Sequence, residues 1–127
     1  MAIKKLGVDL HGVIDASPEL FSDLSKVLVA SGWEVHIITG PTYEKSIKEI
    51  EKYNICFTNF FSIEDYHKSL GTKITYDNKG NPWMDKNIWD KTKGEYCLRE
   101  EIDIHIDNTA EYGNYFKTNF LLFKSNP

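Results

Sequence analysis

Basic charge, cysteine and long apolar runs are all scarce in this chain. Its 127 residues carry 15 Lys and Arg against 19 Asp and Glu, a net charge of −4. That balance excludes a general nucleic-acid-binding patch, whose footprint is a basic face. The two cysteines, Cys56 and Cys97, show neither CxxC nor zinc-ligand spacing. They read as reduced, half-buried thiols, which points to a reducing, cytoplasmic setting. No stretch approaches the roughly 18 apolar residues of a membrane span. No basic start leading into an apolar segment marks a secretion signal. Repeats, low-complexity segments and linkers are missing too, so the length reads as one domain over 1–127.

What is present is organised around Val8-Asp9-Leu10-His11-Gly12-Val13-Ile14. The apolar run from Ile3 to Leu10 reads as a buried strand that ends in a tight turn. Ser17-Pro18-Glu19 is a helix start, with serine at the N-cap and proline at N1. Leu20, Phe21, Leu24, Val27 and Leu28 follow at helical spacing, and Gly32 closes the helix. Trp33 to Thr39 reads as the next strand. Strand, helix and strand in this order make a βαβ unit and a parallel sheet.

A second helix is expected over 42–53, and a third strand over Ile55–Phe61. Ser62 with Asp65 resembles a capping box for a short helix. Asp77-Asn78-Lys79-Gly80-Asn81 between two short apolar arms predicts a β-hairpin over 72–85. A helix from Lys86 to Glu100 comes next, weakened by Gly94. Ile102, Ile104 and Ile106 alternate with Asp103, His105 and Asp107, the pattern of a half-buried strand. A last helix over Thr109–Lys117 and a strand over Phe120–Phe123 complete the chain.

Three expected strand ends carry polar groups: Asp9, Thr39 and Asp107. Open α/β sheets bind ligands at the carboxyl ends of their strands. Two carboxylates with a backbone carbonyl between them suit Mg²⁺, which takes one or two carboxylates and keeps several waters. A threonine hydroxyl followed by backbone N–H groups suits a phosphate. Lys91 and Lys93, ahead of the fourth expected strand, offer a balancing charge.

In their order, these motifs resemble the haloacid dehalogenase-like (HAD) phosphohydrolase superfamily over nearly the whole chain. They are hydrophobic-Asp-x-x-Gly-Val, hydrophobic-Thr-Gly, a helix lysine and an acidic strand end. The resemblance implies a Rossmann-like three-layer α/β/α sandwich with about five mainly parallel strands. It implies that Asp9 attacks phosphorus, that Thr39 and Gly40 orient the phosphate, and that Lys93 neutralises charge. Lys93 is preferred to Lys91 because Lys93-Gly94-Glu95-Tyr96-Cys97 resembles the Lys-x-x-x-Cys helix of small members. Mg²⁺ would sit on Asp9, the His11 backbone carbonyl and Asp107. With only a short segment after Asp9 and the small 72–85 hairpin in place of a cap insertion, the resemblance is to capless members. Their open sites admit a phosphorylated small molecule, a phosphoprotein, a nucleotide or a nucleic-acid end.

Two positions depart from the family pattern. His11 stands where a second aspartate is usual, and Asn108 stands where an acid often follows the metal ligand. Histidine can serve as the general acid and base. It can instead slow breakdown of the aspartyl-phosphate, or mark a protein that binds without turnover. Asn108 is expected to weaken Mg²⁺ affinity rather than abolish the site. A phospho-receiver reading fits less well, because the third expected strand holds no aspartate.

The remaining polar and aromatic residues have ordinary readings. His36 and His105, mid-strand, are expected to be structural or solvent-facing, and His67 to be solvated. Lys45 and Lys48 are expected to pair with Glu44, Glu49 or Glu51 on the helix surface. Asp103, at a strand start, is expected to stay off the metal, and Asn59 to end the third strand. Trp83 and Trp89 cover apolar surface or stack on a base or sugar.

Overall fold

The computed structural model describes residues 2–124. Five strands form one sheet: β1 (Lys5–Val8), β2 (Glu34–Thr39), β3 (Asn59–Ser62), β6 (Ile104–Asp107) and β7 (Asn119–Leu122). Their order is β3-β2-β1-β6-β7, and every pairing is parallel. Helices α1 (Pro18–Ala30), α2 (Tyr43–Lys52), α3 (Ile63–Leu70), α4 (Lys86–Arg99) and α5 (Ala110–Gly113) make the connections. Strands β4 (Thr75–Tyr76) and β5 (Pro82–Trp83) form the expected antiparallel hairpin. The architecture is a Rossmann-like α/β fold with a small hairpin insertion.

Period-2 alternation divides the core between the two faces of the sheet. Leu6, Val8, Val35, Ile37 and Ile106 pack with Phe21 of α1 and Ile50 of α2. Ile38 packs on the other face with Ile63, Tyr96, Cys97 and Ile102. The central strands are therefore covered on both sides, as parallel strands usually are.

Local chemistry sets the element ends. Thr42, Ser62 and Asp85 cap α2, α3 and α4 through side-chain oxygens that accept from Lys45 N, Asp65 N and Ile88 N. Pro18 opens α1 as expected, but Ser17 makes no side-chain cap bond. The expected box at Ser62 is half made, because the Asp65 carboxylate instead accepts from Tyr43 N at 2.8 Å. Lys45 donates to the Gly80 carbonyl at 3.2 Å, and Glu49 faces His11, so the expected helix-surface pairs of these two do not form.

The third strand begins later than its apolar run. Cys56 N donates to Ser25 Oγ, and Thr58 exchanges bonds with the Val35 backbone through both its N–H and its side chain. These bonds hold 55–58 outside the ladder. Asn59 consequently starts β3 and Ser62 ends it, which removes Asn59 from the functional end of the sheet.

The last helix is also shorter than expected. A Cβ on Gly94 would lie 2.4 Å from the Tyr115 carbonyl oxygen. The glycine read as a weakness in α4 is the point where the chain after α5 crosses that helix.

Candidate functional site

The site lies at the carboxyl ends of β1, β2 and β6. Gly7 pairs with His105 and Val8 with Ile106, and the next residue, Asp9, donates its N–H to the Ile106 carbonyl at 3.0 Å. Two residues further along the same face, this register sets Asp9 beside Asp107. Alternation then directs both carboxylates toward α4, the face opposite Val8 and Ile106.

Lys93 of α4 enters between them. Its Nζ lies 2.8 Å from Asp107 Oδ2 and 3.2 Å from Asp9 Oδ1, with the side chain 2% exposed. Lys91 is exposed, so the lysine in the site is the one preferred from the sequence. The Tyr112 ring lies beneath the ammonium, 5.0 Å from Nζ to its centroid.

Asp107 is held by three donors. Oδ2 accepts from Lys93 Nζ and from His105 Nε2 at 2.9 Å, and Oδ1 accepts from Thr109 N at 3.1 Å. Burial alone would raise its pKa, but the His105 hydrogen bond and the Lys93 charge outweigh it and bring the carboxyl to about 2. Asp9 ends differently. Burial pushes it up, and Lys93 opposes that push only in part. Burial also depresses His105, so its ring is neutral and donates from Nε2. Lys93 stays above the usual lysine range because Asp9 and Asp107 outweigh its desolvation.

Two carboxylates against one ammonium leave one negative charge uncompensated in a buried cluster. Asp9 Oδ1 accepts from Leu10 N at 2.8 Å, while Oδ2 has no hydrogen-bond partner among the described residues. The Thr39 hydroxyl, on a residue 1% exposed, likewise has none. An unpaired buried hydroxyl costs stability, and Thr39 lines the same cavity as Asp9 and Lys93. Uncompensated charge and hard oxygen donors together fit a divalent cation of the Mg²⁺ type. A group of three potential metal-ligating side chains among the described residues, His11, Asp15 and Glu49, adjoins this site through His11 but includes neither Asp9 nor Asp107. Asp15 in that cluster is already engaged by Gly12 N at 2.7 Å.

His11 and Gly12 occupy a wide turn after β1, closed by Ile14 N on Asp9 O and Asp15 N on Leu10 O. Gly12 has φ +84°, and a Cβ there would meet the Asn108 side chain. The turn thus requires glycine on two counts. Asn108 is exposed at the rim and packs over this turn. The His11 side chain is 46% exposed, with Nε2 3.5 Å from Glu49 Oε2. A cavity of about 240 Å³ brings together Asp9, His11, Thr39, Gly40, Lys93 and Asn108.

Sequence reasoning missed several neighbours. His105 and His36 are buried rather than solvent-facing. His36 bonds Tyr96 Oη and Glu34 Oε1, a structural role as expected, but His105 holds Asp107. Its sequence signal was the two-residue spacing on one strand. His67 is buried between the Thr72 and Thr92 hydroxyls, not solvated. Trp89 packs on Gly40, where a Cβ would meet the ring at 2.8 Å, and donates Nε1–H to Tyr112 Oη at 3.0 Å. Nothing in the sequence singled out Tyr112. Asp103 accepts from Lys5 N at the far end of the sheet, away from the carboxylates.

Comparisons with models of known protein families, with curated proteins and with solved structures gave no match. The fold and the arrangement of the site therefore carry the functional reading. No helix among the described residues is long and apolar enough to cross a membrane.

Proposed function

We propose that this protein is a Mg²⁺-dependent phosphomonoester hydrolase of HAD type that carries the phosphoryl group on Asp9. The observation that supports this most strongly is Lys93, buried between Asp9 and Asp107 beside an unpartnered Thr39 hydroxyl. That set combines a nucleophile, a counter-charge and a hydrogen-bond donor for phosphate oxygens at one strand-end crevice.

In this reading Thr39 and the Gly40 N–H hold the phosphoryl oxygens and Lys93 balances their charge. Asp9 Oδ2 attacks phosphorus as the ester P–O bond breaks, and the leaving oxygen takes a proton from the His11 imidazolium. Water then attacks the phosphoryl group and gives its proton to His11. The bond to Asp9 breaks and inorganic phosphate leaves. Asp9, Asp107 and the His11 carbonyl, with Asn108 at the rim, would hold Mg²⁺, which supplies charge neutralisation for the transferring group. The two free thiols agree with a reducing, cytoplasmic compartment.

A second reading, binding of a phosphorylated ligand without efficient turnover, draws on the exposure of His11 and its nearness to Glu49. Acid quenching during turnover of an aryl phosphate, followed by peptide mass spectrometry, separates the two. The hydrolase reading predicts a hydroxylamine-labile phosphoryl group on the peptide containing Asp9. A phosphoryl group on another residue, or none in a protein that turns over, contradicts it.

A further inference from the structure

A second cavity, of about 490 Å³, opens beside the phosphate site and shares Trp89, Thr109 and Tyr112 with it. The hairpin supplies its outer wall through Pro82, Trp83 and Met84. Two contacts pin the hairpin in place: Tyr76 Oη donates to the buried Glu64 at 3.1 Å, and Lys45 Nζ donates to the Gly80 carbonyl. Trp83 is 63% exposed, and its Nε1–H points to Asp77 Oδ2 at 3.4 Å. Such a large apolar ring, held on a short strand and left uncovered, contributes little to the core.

We propose that this cavity receives the leaving group of the substrate, and that the substrate is a free nucleoside monophosphate. The inference rests on the phosphohydrolase reading of the adjoining site. Three aromatic side chains, Trp83, Trp89 and Tyr112, line the cavity, and stacking of a flat ring on an aromatic side chain tolerates any base. The volume is in the range of small-molecule pockets. Lys86, Asp90, Thr109 and Glu111 are also in the lining, and offer hydrogen-bonding groups to a base edge or a ribose.

Charge narrows the class. Lys86 is tied to Asp90 at 2.6 Å, so Glu111 stands as the unbalanced charge of the lining. The cavity is therefore neutral to acidic, whereas the phosphate site holds Lys93. It accepts an uncharged ring and repels a second phosphate. A mononucleotide meets both conditions, and a nucleic-acid terminus with its next phosphate does not.

Two measurements test this. The first compares kcat/KM for adenosine 5′-monophosphate, a 5′-phosphorylated oligonucleotide and glycerol 1-phosphate, in wild type and Trp83→Ala. The mononucleotide is expected to be preferred, and the preference over glycerol 1-phosphate to fall about tenfold in the variant, the scale of one lost stacking face. Trp83→Phe, which keeps a ring, should retain most of it. The second titrates adenosine 5′-monophosphate into Asp9→Asn, with and without Trp83→Ala, and reads binding by isothermal titration calorimetry. Binding lost with Trp83 supports the pocket even where no ester is hydrolysed, so failure of the hydrolase reading is seen separately. An unchanged preference in Trp83→Ala with unchanged binding, or equal turnover of the oligonucleotide, overturns the proposal.

Discussion

His105 donates from Nε2 to Asp107 Oδ2 at 2.9 Å, and neither side chain is open to solvent. Asp107 thus meets its counter-charge in a fixed orientation, with His105 on the strand and Lys93 on the helix. His105→Phe keeps a ring against Phe116, which stacks on the imidazole at 5.3 Å, but removes the donor. Loss of a buried hydrogen bond to a charged group costs about 2 kcal/mol. The urea midpoint should fall accordingly with an unchanged slope.

Asp9 carries the opposite energetics. Burial holds its carboxyl above the usual range, so the folded protein disfavours the charge that the proposed chemistry requires. Asp9→Asn keeps an oxygen for Leu10 N and removes the repulsion with Asp107. Its stability should rise by about 1 kcal/mol, roughly 3 °C in midpoint temperature for a chain of this size. Lys93→Met should do the reverse. It leaves two carboxylates without their cation, at a cost of about 3 kcal/mol. Differential scanning calorimetry in metal-free buffer reads both.

Much of this was legible in the chain, and the failures share a cause. Caps, turn residues and apolar spacing act locally, so α1, α2, the hairpin and α4 could be read directly. Asp9, Thr39 and Asp107 were legible because strand ends converge in a parallel sheet, and Lys93 of α4 was singled out over Lys91 by the resemblance of its Lys-x-x-x-Cys helix. The alternation of Ile104 and Ile106 with His105 and Asp107 suggested one wet face. In fact β6 lies between β1 and β7 and under α4, and its polar residues pair with one another in the interior. The run at 55–58 signalled a burial that is only partial, at Ile55 and Phe57, and did not signal its hydrogen bonding, which Ser25 and Val35 decide from elsewhere. Tyr112 and Trp89 reach the site by tertiary packing, which no local pattern records.

Gly94 gives a test that runs against intrinsic preference. In an open helix, Gly→Ala gains about 1 kcal/mol. Here the added methyl would press on the Tyr115 carbonyl, and the segment after α5 would have to move. Gly94→Ala should therefore lose about 2 kcal/mol, the scale of overpacking, as measured by urea unfolding.

Cys97 and Tyr96 set an alkaline limit. Burial raises the Cys97 thiol to about 12 and pushes the Tyr96 hydroxyl up as well. Both groups ionise first in the unfolded chain, which then binds fewer protons than the native state, so stability falls as pH rises. The midpoint temperature should hold up to about pH 9, the ordinary thiol range, and decline above it. At pH 8 iodoacetamide should label the half-buried Cys56 and spare Cys97 in the native protein. Equal labelling of both would contradict this account of the α4 interior.

The central claim is that Asp9 does chemistry on a phosphate ester. Its most direct test is release of inorganic phosphate from an aryl phosphate by wild type and Asp9→Asn, each with Mg²⁺ and with chelator. The account predicts phosphate release by wild type with Mg²⁺ alone, and none by Asp9→Asn in a protein that remains fully folded. Full activity in Asp9→Asn, or activity indifferent to Mg²⁺, would contradict it.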